Sequence, residues 1–143
     1  MSDADKIISN LEHLSGNIAD RVEKALIKGM KQIQGDAKLL VPVKEGRLRN
    51  STTASVTRDA ELDIIGEVGT NLEYAAYVEF GTGQRGESAD KDLPEGLSLS
   101  YTQREWPGQA PQPFLYPAFK NNKKEIEQKI AAAIKAAMRE GRT

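Results

Sequence analysis

The sequence predicts an α+β protein on three observations. Apolar residues recur every three or four positions near each end of the chain, an alternating β-branched stretch lies between them, and proline and glycine punctuate the passage from one to the other. The expected layout is a small antiparallel β-sheet with a long N-terminal helix, a short middle helix and a long C-terminal helix. A chain of 143 residues can bury one sizeable core, whereas its halves would bury their surfaces poorly, so residues 1–143 are read as a single domain.

The first helix is expected over residues 3–40. Ile7, Leu11, Leu14, Ile18 and Val22 begin a stripe that Leu26, Met30, Ile33, Ala37 and Leu40 continue, while Glu12, Asp20, Lys24, Lys28 and Lys31 take the opposite face. Gly16, Gly29 and Gly35 each weaken the helix by about 1 kcal/mol relative to Ala and mark places for a bend. The stripe is expected to pack on the protein's own sheet, with contact to another subunit as the alternative. Pro42 ends the helix, since it has no backbone N–H to donate and disfavours helical geometry in Val41. The segment VPVKEGRLRNS that follows reads as a solvated turn.

Residues 52–57 and 62–68 are rich in β-branched side chains and alternate, with Leu62, Ile64 and Val68 on one face and a turn at residues 58–60; this predicts a β-hairpin. Gly66 and Gly69 signal a bulge, the close approach of another backbone, or a plain strand end. Residues 71–80, NLEYAAYVEF, fit helix and strand spacing alike, and Asn71 as an N-cap favours a short helix. Residues 84–104 combine glycine, proline and charge without an apolar period, which predicts an exposed, flexible loop. Within LSLSYTQREW a strand returning to the sheet is expected. The proline-dense WPGQAPQPFLYPAF cannot be helical until Pro117 takes a first-turn position. A last helix then spans residues 118–139, with Phe119, Ile126, Ile130, Ile134, Ala137 and Met138 on one side and Glu125 four residues before Lys129.

Composition narrows the function. Twenty Lys and Arg against 21 Asp and Glu give a formal net charge of −1, so no global positive field would hold the chain on nucleic acid. The absence of cysteine removes disulfides, thiolate nucleophiles and cysteine metal sites, and suits synthesis in a reducing cytoplasm. No stretch is long and apolar enough to predict a membrane span. His13 is the sole histidine and falls on a helix, so neither a histidine-based triad nor a multi-histidine metal site is expected. Gly81, Gly83 and Gly86 lack the phosphate-loop lysine and the spacing of a dinucleotide fingerprint. Glu79, Glu87, Asp90, Asp92 and Glu95 match no calcium loop. No catalytic, cofactor-binding or metal-ligating residue is therefore expected. Lys44, Arg47 and Arg49 could touch phosphate if several subunits surrounded a DNA channel, and otherwise belong to the solvated turn. Tyr74, Tyr77, Phe80, Trp106, Phe114, Tyr116 and Phe119 gather most of the aromatic surface, as core or as interface anchors.

The order VPVKEGRLRNS, hairpin, YAAYVEFGTG, GQAPQPFLYPAF and long C-terminal helix resembles the minor tail-component, or neck and tail-completion (head–tail joining), family of long-tailed double-stranded DNA phages. The first motif matches through Pro42, Gly46, Arg47, Leu48 and Ser51, with Lys44 and Glu45 where an aspartate-threonine pair is common. The second matches through Tyr74, Tyr77, Val78, Glu79, Phe80, Gly81 and Thr82. The third matches through Gln112, Pro113, Phe114, Leu115, Pro117 and Ala118, with Tyr116 where arginine is frequent. The resemblance implies an α+β fold with a small antiparallel sheet flanked by helices, no catalytic residues, no cofactor, and assembly into the virion as a ring or collar where head connector meets tail tube. The candidate interface or motif residues are Arg47, Leu48, Tyr74, Tyr77, Glu79, Phe80, Gly81, Trp106, Pro113, Phe114 and Tyr116. Two alternatives stand beside it. One is a tail terminator capping the tube; the other is a nucleic-acid-binding module using Lys44, Arg47 and Arg49. A hydrolase relying on Glu79 is a more distant one.

Overall fold

The N-terminal stripe forms an unbroken helix, α1 (Asp3–Leu40). Ser2 starts it: its Oγ accepts the Asp5 N–H at 3.2 Å, and the Asp5 carboxylate in turn accepts from the Ser2 hydroxyl at 2.8 Å and N–H at 3.2 Å. Asp3 and Asp5 in the first turn and Lys38 in the last complement the helix dipole. The computed structural model describes residues 2–60, 62–101 and 105–141.

Pro42 stands just past the end of α1, as expected. The solvated turn predicted after it is instead a second helix, α2 (Gly46–Ser51). Leu48 drives this departure: its side chain is fully buried, and a helical turn carries it inward while Arg47 stays exposed. The antiparallel hairpin follows as β1 (Thr53–Ala60) and β2 (Asp63–Gly69). The strands run through the turn predicted at 58–60, because Arg58 is held in β1 by Asp20 at 2.8 Å and Glu23 at 3.2 Å on α1. Leu62, expected on the covered face, lies exposed in the turn; Ile64, Gly66 and Val68 form the half-covered face.

The middle helix is α3 (Ala75–Phe80), shorter than predicted and capped at Tyr74 without a side-chain bond, not at Asn71. Part of the predicted loop is helical, α4 (Gly83–Ser88). Of the strand expected over residues 97–106, residues 97–101, 105 and 106 form no strand, and residues 102–104 lie outside the described residues. The C-terminal helix is α5 (Leu115–Glu140), with Pro117 in its first turn.

The chain divides into two compact units. The first comprises Met1–Gln32, Ala54–Glu67 and Asn122–Thr143, and buries Ala19, Met30, Ile126 and Ala137. Its elements approach closely at two glycines. A Cβ on Gly29 would lie 2.9 Å from the Ile126 side chain, and one on Gly66 would lie 2.7 Å from that of Met30, so the close approach expected at Gly66 is made by a side chain. The Gln32 amide donates to Asn122 Oδ1 at 2.7 Å, and Asn122 is buried.

The second unit comprises Ile33–Thr53 and Val68–Asn121. Ile33, Ala37, Val41 and Leu48 are buried in it, as are Ala75, Val78, Phe114 and Ala118. Along α5 the inward row is Ala118, Asn122, Ile126 and Ala137, so two residues predicted to face in do not: Phe119 is 44% exposed and Met138 43%. The neighbours that face inward are the smaller Ala118 and Ala137, which leave room for close helix packing.

Candidate functional site

The site is built where YAAYVEFGTG meets the proline-dense stretch before α5, within the second unit. A helix start leaves backbone N–H groups without partners. At α5 they are met by a carboxylate from far along the chain: Glu79 Oε2 accepts from the N–H of Phe114 at 2.7 Å and Leu115 at 3.0 Å, and Oε1 accepts from Tyr116 at 2.9 Å. The following residue, Pro117, has no N–H to satisfy. Glu79 is only 7% exposed, and the partial positive charge of the helix N-terminus stabilises its negative charge there. Both of its oxygens are engaged by this cap.

The chain must then turn sharply to bring these segments together. Gly81 supplies the turn with φ 78° and ψ 178°, a conformation close to exclusive to glycine. A Cβ there would lie 2.7 Å from the Gln109 carbonyl oxygen and 2.8 Å from Pro111 N. Beyond the turn, Thr82 and Gln109 pair as a short antiparallel bridge at 2.9 and 3.0 Å, and the Gln112 N–H donates to the Val78 carbonyl at 2.7 Å. The Tyr101 hydroxyl donates to the Phe80 carbonyl at 2.7 Å. Lys91 donates to the Ala89 carbonyl at 2.8 Å, near the end of α4, and stands 5.2 Å from the centre of the Tyr101 ring.

On this frame lies an open groove of about 630 Å3, lined by Ala76, Tyr77, Phe80, Leu99, Tyr101 and Trp106 among others. Tyr77 is 59% exposed and Trp106 51%. A second recess of about 270 Å3 lies between Asp92, Pro113, Tyr116 and Lys120. Lys120 and Asp92 form an ion pair, which raises the lysine's pKa above its ordinary value.

The family profile described as "Bacteriophage HK97-gp10, putative tail-component" matches residues 5–81, more than half of the chain. This chain belongs to that family. No curated protein and no solved structure matched it.

The candidate interface or motif residues of this HK97-gp10-like chain separate by burial into three groups. Leu48 and Phe114 are fully buried, and Glu79 is the buried cap. Gly81 is buried at the turn, while Tyr74, Phe80 and Tyr116 are half-buried beside it. Tyr77, Trp106, Pro113 and Arg47 are exposed. Of the basic trio, Arg49 turns to the end of α1, donating to the carbonyls of Lys38 at 3.1 Å and Val41 at 3.3 Å, whereas Lys44 and Arg47 face solvent. Tyr101 and Lys91 belong to no periodic pattern, so spacing does not mark the roles they take here. Among the described residues, no group of three or more His, Cys, Asp or Glu is placed to hold a metal, and no helix is long and apolar enough to cross a membrane.

Proposed function

We propose that this chain is a non-enzymatic structural subunit of the virion at the head–tail junction, completing the tail or joining it to the head connector as one copy of a ring or collar. The carrying observation is the open groove bordered by the exposed rings of Tyr77 and Trp106, built on backbone pinned by Glu79, Gly81 and the Thr82–Gln109 bridge. Exposed aromatic rings on a rigid frame suit the anchoring of a protein partner, since they bury large area at little cost in conformational entropy. Membership of a phage tail-component family supports the same reading. Engagement of both Glu79 oxygens counts against its use as a hydrolytic base. The commitment of Arg49 to α1 carbonyls, with a net charge of −1, counts against DNA as the main partner.

The test is assembly of particles lacking the protein, with heads and tails counted separately by negative-stain microscopy. Filled heads beside unattached tails are expected. Tails of abnormal length would instead identify a terminator, and normal infectious particles would overturn both readings.

A further inference from the structure

The first three turns of α1 lie uncovered. Ile7, Ile8 and Leu11 are each between 54% and 59% exposed, in a chain that elsewhere in its first unit buries Met30 and Ile126. At 3.6 residues per turn these three form one stripe with Leu14. Asp5 and Glu12 border the stripe on one side and Asp3 on the other, while Lys6 falls on the far face. The segment is thus an apolar ridge with acidic margins.

The same unit carries a surface of the opposite kind. A shallow groove of about 280 Å3 runs between α1 and α5, edged by Arg21, Lys24, Lys28 and Lys129 and floored by Ala25 and Ala133. Arg21 pairs with Glu140, and Lys129 pairs with Glu125 at 3.0 Å. Lys24 and Lys28 are exposed and form no ion pair among the described residues. Small side chains on the floor admit another helix, and the cations at the edges meet acidic margins.

We propose that the first three turns of α1 in one copy seat in this basic groove of a second copy. The occupant cannot come from the same molecule, because ridge and groove edge lie on one continuous helix that cannot fold back on itself. A second copy brings an acidic-margined ridge to every groove. Such a ridge-to-groove contact joins two different surfaces, and repetition with a closing rotation gives a ring. This inference rests on the reading of the chain as a multi-copy virion component and names the contact between its copies.

The test is sedimentation velocity on the full chain. Lys24→Glu with Lys28→Glu reverses the groove, and Asp5→Lys with Glu12→Lys reverses the ridge; Glu12→Lys alone leaves the Ser2–Asp5 cap intact should the double variant fray the helix. Each reversal alone is expected to weaken self-association by about tenfold or more. Equimolar mixing of ridge-reversed and groove-reversed proteins is expected to restore assemblies containing both. Wild-type protein that stays monomeric, reversals without effect, or mixing without restoration would each overturn the contact. A multimer indifferent to the reversals leaves the head–tail reading untouched, since that reading stands or falls on the particles formed without the protein.

Discussion

Glu79 accepts the backbone N–H of Phe114 at 2.7 Å across 35 residues of chain, and both side chains are buried. A helix is thereby capped by a residue of another helix, which ties the start of α5 to α3. Replacing Glu79 by Ala removes the acceptor for three N–H groups at once and should lower stability by about 2–4 kcal/mol, whereas Gln, which retains one carbonyl oxygen, should cost about 1–2 kcal/mol. Urea unfolding followed by circular dichroism gives both values, and equal losses would contradict the cap.

Phe114 and Trp106 should part company when each is truncated. Phe114→Ala opens a cavity in a site with no solvent access and is expected to cost about 3–5 kcal/mol. Trp106→Ala removes a half-exposed ring and should change stability by less than about 1 kcal/mol while lowering the yield of joined particles. Thermal unfolding beside a plaque titre separates the two effects.

Gly81→Ala places a methyl group against the Gln109 carbonyl in a backbone conformation that alanine avoids. A loss of about 2–4 kcal/mol is expected, well beyond the effect of Gly→Ala at the open Gly35, where helix propensity should give a gain of up to about 1 kcal/mol. The comparison of denaturation midpoints checks both signs.

The Glu125 carboxyl is held below its ordinary pKa, first by the hydrogen bond from Lys129 and then by that from Gln32. The folded state therefore binds this proton less readily than the unfolded chain. Its stabilising contribution is present above the unfolded carboxyl's pKa and fades as pH falls through the lowered folded value. Carboxyl titration by NMR should show a low midpoint for Glu125, and Lys129→Met should move it upward.

The two long helices and the hairpin were legible because their apolar residues repeat at helical or alternating spacing over many positions. Short helices were not. In α2 the only strong signal is Leu48, whose burial is set by packing that spacing cannot reveal. In α4 the polar, glycine-rich GQRGES has no apolar stripe, and its glycines Gly83 and Gly86 are the buried positions. On α5 the eye follows large side chains to Phe119, yet the inward positions are the smaller Ala118 and Asn122. The motif residues of the site were found by resemblance, but their roles were not: Glu79 reads as one charge in an acidic region, and its partners lie 35 to 37 residues away. Tyr77 and Trp106 could equally have been core until their exposure was seen.

Along the contact of α1 with α5 in the first unit, the Ile126 side chain lies against Gly29, where an added Cβ would be 2.9 Å away. A slide by one turn, about 5.4 Å, would carry Ile126 off Gly29 and onto a position of α1 that has a side chain. The same slide would break the bond from Gln32 to the buried Asn122. A shifted pairing would strand the Asn122 amide away from Gln32, at a penalty of about 1–3 kcal/mol. The amide pair and the glycine notch thus work together as an indexing pin that sets the alignment of the two helices.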